Sequence, residues 1–212
     1  MPKGRDHILG RIRAALADRP PGGLPEDVAG AAVFAPVADP LARFQAECQA
    51  NRTELHLVTA ANEADCLTAV LAREKEGGDG TIYVQDAPAL RALAARLPAA
   101  TQTNLQFAPA QPAGIASLTL CEALVARTGS VLVSSRCGGR AATILPPTHI
   151  VYAHASQLHA EIDAALLAAR SQSPTASLYS LITGPSRTSD IEKMLVLGAH
   201  GPKRLTVLLR TD

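Results

Sequence analysis

Between Leu41 and Leu209 short apolar runs alternate with amphipathic stretches, and this alternation narrows the folds open to the chain more than any other feature. Residues 41–50 read as a helix, 54–59 as a strand, 63–76 as a helix stopped at Gly77-Gly78, 81–84 as a strand, 88–97 as a helix and 105–107 as a short strand. Strand and helix in turn predict an α/β fold with a mainly parallel sheet flanked by helices. Residues 113–120 fit either type. Residues 123–126 and 130–135 read as two strand segments bent at Gly129, or as a hairpin, and Gly138-Gly139-Arg140 reads as a flexible loop. Pro146-Pro147 leads into a strand over 149–153, and Ser156 is placed to cap a helix with Leu158, Ile162 and Leu166 on one face. A strand over 178–183, a helix over 190–197 stopped by Gly198 and a strand over 205–209 complete the pattern.

The first forty residues differ. Ile8, Ile12 and Leu16 recur every four positions with Arg11 and Arg13 between them, which predicts a short amphipathic helix over 6–17. Residues 18–40 then carry Pro20, Pro21, Gly22, Gly23, Pro25, Gly30, Pro36 and Pro40, the composition of a linker or extended arm. The expected organisation is therefore an N-terminal helix and Pro/Gly-rich arm over 1–40, followed by an α/β domain over 41–212. The tethered helix can dock on the domain, on another subunit or on a different protein.

Composition removes several function classes. Twenty Lys and Arg balance nineteen Asp and Glu, and neither sign forms a block, so neither a polyanion-binding nor a membrane-bound polybasic face is expected. With three Phe, three Tyr and no Trp there are few rings on which bases could stack, and no nucleic acid partner is expected. No apolar run approaches the ~20 residues of a membrane span, and charges interrupt the first helix where a secretory signal would be apolar. Cys48, Cys66, Cys121 and Cys137 lie far apart without a C-x-x-C, which argues against a zinc ribbon or a cysteine-ligated cluster in this chain. A reduced, cytoplasmic protein is the expectation, with no metal and no cofactor bound by the chain itself.

Polar chemistry concentrates in Thr183-Gly184-Pro185-Ser186-Arg187-Thr188-Ser189-Asp190-Ile191-Glu192, closed by Gly198-Ala199-His200-Gly201-Pro202. Ser189 and Glu192 have the S-x-x-E spacing of a capping box, which predicts a helix start there. The unpaired N–H groups and positive dipole end of such a start can hold an anion, with Arg187 as a bidentate donor. The same residues also make a well-capped helix in which Arg187 pairs with Asp190 or Glu192. His200, between Gly198 and Gly201-Pro202, could return towards Arg187 and Asp190 as a proton carrier, or bond only to local backbone.

Elsewhere the signals are thinner. Thr128-Gly129-Ser130 sets two hydroxyls about a glycine, as a phosphate cradle or an ordinary tight turn would. Gly138-Gly139-Arg140 could form an anion nest beside a guanidinium. His149, His154 and His159 are spaced by five, which suits one face of neither helix nor strand, so scattered histidines are expected rather than a metal triad. Ser130, Ser186 and Cys137 are available nucleophiles without a G-x-S-x-G elbow. Glu122, ahead of an apolar run, could be buried and serve as a covalent carboxylate.

Taken together, E-A-L-V-A-R-T-G-S-V-L-V-S-S (122–135), G-R-A-A-T-I-L-P-P-T-H-I-V (139–151), T-G-P-S-R-T-S-D-I-E (183–192) and G-A-H-G-P (198–202) resemble the LUD domain family, in its lactate utilisation protein C (LutC/YkgG) group. The match in order and spacing covers about the last hundred residues. The first hundred agree in outline.

The resemblance implies a domain similar to the sugar-phosphate isomerase and CoA-transferase (NagB/RpiA-like) superfamily over 41–212. It implies a non-cluster component of a bacterial system that oxidises L-lactate to pyruvate with LutA-like and LutB-like iron–sulfur proteins, whose clusters are the cofactors. The alternative is a stand-alone transferase or isomerase binding a phosphorylated or CoA-linked small molecule. The candidate ligand-binding residues, for an anionic small molecule, are Thr128, Gly129, Ser130, Arg140, Gly184, Ser186, Arg187, Thr188, Asp190, Glu192 and His200. Many relatives carry an acidic residue immediately before the T-G, where this chain has Arg127, and that departure weakens any carboxylate-nucleophile mechanism borrowed from CoA transferases.

Overall fold

The strand runs of the sequence form two principal sheets and a small two-stranded one. The computed structural model describes residues 4–17, 34–75, 80–111, 114–189 and 195–212, and the chain falls into two units, Met1–Pro36 and Val37–Asp212. The first holds α1 (Gly4–Ala17), on which Ile8, Ile12 and Leu16 recur at helical spacing. Most of the Pro/Gly arm lies outside the described residues.

In the second unit α2 (Pro40–Asn51) precedes β1 (Glu54–Val58), α3 (Glu63–Lys75), β2 (Ile82–Val84), α4 (Pro88–Ala95), α5 (Ala99–Gln102), β3 (Leu105–Gln106) and β4 (Ala116–Leu120). Then come β5 (Ala123–Val125), β6 (Ser130–Ser134), α6 (Gly139–Ile144), β7 (Thr148–His154), β8 (Leu158–His159) and α7 (Ile162–Gln172). β9 (Tyr179–Ile182), β10 (Arg187–Ser189), β11 (Leu195–Leu197) and β12 (Arg204–Arg210) complete the chain.

Six strands in the order β1-β12-β7-β4-β2-β3 form one sheet in which every pairing is parallel. This is the α/β architecture that the alternation predicts. Successive β7 side chains serve opposite faces, as the pleat requires. Ile150 and Tyr152 pack with Leu67 and Leu71 of α3 and Leu90 and Leu93 of α4. Val151 and Ala153 pack with Phe44 and Cys48 of α2 and Val131 and Val133 of β6. Each fully buried Leu, Ile or Phe in these layers contributes roughly 1.5–3 kcal/mol of transfer free energy. The ambiguous stretch at 113–120 contains an interior strand, β4, whose Ala116 and Leu118 are fully buried.

The second sheet has the order β8-β5-β6-β9. β5 and β6 are the hairpin form of the two readings, paired antiparallel with Ala123 opposite Leu132. A 3-10 turn over Ala126–Thr128 and Gly129 at φ +61° reverse the chain. Ala165 and Ala169 of α7 close its outer side against Ala123, Val125 and Leu132. The parallel sheet is thus flanked by helices on one face and by α2 and the smaller sheet on the other.

Three local expectations are overturned. Gly138-Gly139-Arg140 is not a flexible loop: Gly138 at φ +75° precedes α6, which begins at Gly139. Ser156 does not cap a helix. The Gln157 side chain accepts from the His154 N–H at 2.8 Å and donates to the Cys121 carbonyl at 2.7 Å, so the chain makes one 3-10 turn and joins β5 as β8 before α7 starts at Ile162. Of the helix expected over 190–197, residues 190–194 lie outside the described residues and 195–197 form a strand instead, with Leu197, Val196 and Leu195 paired antiparallel to Arg187, Thr188 and Ser189. Leu195-Val196-Leu197 is an apolar run with a nearby strand to pair with, and that pairing outweighs the local S-x-x-E spacing. Gly198, read as a helix stop, ends a strand at φ +77° and donates to the Ser186 carbonyl at 3.0 Å.

Candidate functional site

A cleft of about 430 Å³ opens between α6, β9 and the loops around Ser186 and His200. Arg140, Thr143 and Ile144 form one wall, Ser180 to Thr183 another, and His200-Gly201-Pro202 a third, over Val133 and Ser134 of β6. Its walls are held by backbone. Gly184 sits at φ +82°, where a Cβ would fall 2.4 Å from the Asn51 carbonyl oxygen, so only glycine lets this loop press on the end of α2. The Ser186 N–H donates to the Pro202 carbonyl at 2.8 Å, tying the T-G-P-S loop to the G-A-H-G-P loop.

Among the described residues no carboxylate lies within 4 Å of the Arg140 guanidinium or the His200 imidazole, and both side chains are exposed. The cleft therefore offers a guanidinium fork, an imidazole that can donate or accept, and the hydroxyls of Thr143, Thr183 and Ser186. That set suits a small carboxylate bearing an adjacent hydroxyl or carbonyl oxygen. A ligand at the N-terminus of a helix begun by Ser189 is ruled out, because Ser189 lies in a strand.

The structure divides the sequence candidates. Arg140, Gly184, Ser186 and His200 line the cleft. Thr128, Gly129 and Ser130 do not. Asn51 Nδ2 donates to the Thr128 carbonyl at 2.8 Å, and a Cβ on Gly129 would meet Glu47 Cβ at 2.7 Å, so this turn is moulded to α2. Ser130 is buried, with its Oγ 2.7 Å from both Thr128 Oγ1 and Thr183 Oγ1, and reaches the cleft only through Thr183. Arg187 lines a separate pocket with Arg52 and Lys203. The Thr188 side chain, Asp190 and Glu192 lie outside what the structure describes. The sequence reading missed Thr143, which follows Arg140 by three residues on α6 and so shares its face, and Thr183, the first residue of the T-G-P-S-R motif.

Of the candidate nucleophiles, Ser186 lines the cleft, whereas Glu122 and Cys137 are engaged elsewhere. Glu122 is buried, but Ser134 Oγ donates to Oε1 and Ser173 Oγ to Oε2 at 3.0 Å, so both oxygens are occupied. Burial pushes the Cys137 thiol up to about 11, which leaves it protonated at neutral pH. Arg127, immediately before Thr128-Gly129, forms a two-pronged ion pair with Glu161, with Nε 2.6 Å from Oε2, and holds that carboxyl below its ordinary range. His149 is buried with Nε2 2.9 Å from Thr119 Oγ1, while His154 packs edge-on to Tyr152 and His159 sits on β8. Among the described residues no three His, Cys, Asp or Glu side chains are placed to hold a metal.

A parallel six-stranded sheet backed by a smaller sheet, with a guanidinium and an imidazole over a cleft at their junction, defines an α/β protein with a polar, cationic cleft. Residues 41–209 match the LUD domain, and the chain belongs to that family, as its motifs implied. Lactate utilization protein C of Geobacillus sp. is 30% identical over 151 residues, covering 69% of this chain and 57% of that one. Lactate utilization protein C of Bacillus subtilis is 34% identical over 100 residues, 45% of this chain and 42% of that one. The chain spans about half the length of the curated relatives it matches. A crystal structure of a DUF162 family protein from Deinococcus radiodurans shares the fold, with a TM-score of 0.61 and 19% identity over 82% of this chain and 96% of that one.

Proposed function

We propose that this chain is the non-cluster component of a bacterial system that oxidises L-lactate to pyruvate, and that its cleft holds the carboxylate of substrate or product. The observation that carries the reading is the pairing of Arg140 and His200, without a described acidic neighbour, across a cleft rich in hydroxyls. Its relatives named lactate utilization protein C support the choice of lactate and pyruvate. The cysteines do not fit an iron–sulfur cluster. All four are free, three are buried, and among the described residues no group of three His, Cys, Asp or Glu is placed to hold a metal, which supports LutA-like and LutB-like partner proteins as the carriers of the clusters. No described helix is long and apolar enough to cross a membrane, which is consistent with the cytoplasmic location proposed here.

Calorimetric titration tests the site. L-Lactate or pyruvate should bind the wild-type chain, and Arg140→Ala should weaken binding about tenfold or more, the worth of a charge-assisted hydrogen bond. Reconstitution with the two iron–sulfur partners tests the role. Lactate-dependent reduction of an artificial acceptor should fall when this chain is omitted, and an unchanged rate would overturn the proposal.

A further inference from the structure

On the far side of the T-G-P-S-R loop lies a second concavity, of about 220 Å³, where three stretches of chain converge: the end of α2, the loop itself and the start of β12. Arg52, Arg187, Lys203 and Arg204 line it, together with Glu54. Two of these five charges are committed. Arg204 bonds to the buried Glu74 and to Thr148 Oγ1, and Glu54 is gripped by both arms of Arg73 at 2.7 and 2.8 Å and by His56 at 2.9 Å. Among the described residues Arg52, Arg187 and Lys203 have no carboxylate within 4 Å. Three cations are thus held together in a chain whose formal net charge is only +1.

The backbone at Arg52 is an independent observation. Arg52 ends α2 at φ +63°, with its N–H on the Cys48 and Gln49 carbonyls. It is the only non-glycine residue with positive φ among those described. Glycine is the residue best suited to this left-handed cap. A cation at a helix C-terminus does gain from the dipole, but that gain does not require Arg187 and Lys203 to gather in the same hollow. Both are held there. Gly184 brings the Arg187 loop onto the end of α2, and the Lys203 stem lies across Gly198, where a Cβ would fall 2.4 Å from Lys203 Cγ. The Lys203 N–H is anchored on the Pro147 carbonyl at 2.7 Å.

We propose that Arg52, Arg187 and Lys203 form an anion site, separate from the carboxylate cleft, that takes a compact phosphate-bearing ligand. Several cations without paired acids among the described residues favour a multiply charged oxyanion over a single carboxylate. Among the described residues the lining contains no aromatic ring, so the site holds a phosphate or pyrophosphate group rather than stacking a base.

Arg52→Gly provides the test, because it removes one cation while giving the left-handed cap its preferred residue. Thermal unfolding and calorimetry on the full chain would use inorganic pyrophosphate as the probe, at constant ionic strength set with chloride. The wild-type midpoint should rise with pyrophosphate concentration. Arg52→Gly should unfold at or above the wild-type temperature without ligand yet bind pyrophosphate at least tenfold more weakly, and Lys203→Met should lose binding similarly. Absence of a pyrophosphate-dependent shift in the wild type, or wild-type binding by both variants, would overturn the proposal. So would loss of pyrophosphate binding in Arg140→Ala with retention in Arg52→Gly, which would put the anion in the first cleft.

Discussion

Acidification should destabilise this protein through one buried histidine before it acts on its carboxylates. His149 lies in the interior strand β7, fully buried, on the sheet face that carries Thr119, with its Nδ1 lacking a hydrogen-bond partner. Burial penalises the imidazolium and pulls the group from 6.5 down to about 4. Between these values the unfolded chain binds a proton that the native chain does not, so stability falls as pH drops from 6.5 and the loss levels off below about 4. At about 1.4 kcal/mol per unit, the full effect is about 3 kcal/mol, a large share of a typical domain's roughly 5–15 kcal/mol. Glu54 acts in a lower window. Arg73 and His56 hold its carboxyl down to about 2, so its contribution is present above 4.5 and is lost as pH falls through 2. Urea unfolding of the wild type and His149→Gln, from pH 7 to 4.5, separates the two. The amide can still bond Thr119 but cannot titrate, so the wild-type curve should fall more steeply, by about 2–3 kcal/mol over that range. Parallel curves, or a His149 imidazole resonance titrating near 6.5, would refute the reasoning.

Two further outcomes follow from the same geometry. Gly184→Ala combines an unfavourable left-handed backbone with a Cβ 2.4 Å from the Asn51 carbonyl oxygen, and should cost about 2–3 kcal/mol in denaturant unfolding; a loss below about 0.5 kcal/mol would show that the loop yields freely. Burial pushes the Cys48 thiol up to about 12 and Cys137 to about 11, and raises Cys121 further, while Cys66 is only half-buried. Iodoacetamide on the native protein at pH 8 should therefore modify Cys66 first, as mass spectrometry of the digest would show, with the other three following only on unfolding.

Much of the parallel sheet is legible because its strands are buried on both faces. Ile150-Val151-Tyr152-Ala153 is apolar at every position and reads as an interior strand without further information. β4 is less legible because Ser117 and Thr119 alternate with its apolar residues; both are fully buried, bonded to the Ala142 carbonyl and to His149, so their polarity does not mark a solvent face. The second sheet is hidden for a different reason. Only Cys121 and Glu122 separate β4 from β5, yet the two strands belong to different sheets. That change is fixed by distant partners: the Glu122 N–H donates to the Leu132 carbonyl, and its carboxylate receives Ser134 and Ser173. Hydrophobic period shows that a segment is a strand and leaves its neighbours open.

The density of polar residues from Thr183 to Arg187 suggests a single shared site, and the strand geometry shows why these residues line two hollows. Side chains of an extended segment point alternately to opposite sides, so Ser186 faces the cleft of Arg140 and His200 while Pro185 and Arg187 face the hollow of Arg52 and Lys203. The loop is the wall between them. Its position depends on one close backbone approach, Gly184 on Asn51, and on two hydrogen bonds through Ser186, one to Pro202 and one from Gly198. A motif in which the glycine sets the wall and adjacent side chains line different hollows cannot be assigned from spacing alone, because spacing records neighbours along the chain and those neighbours face opposite sides of it.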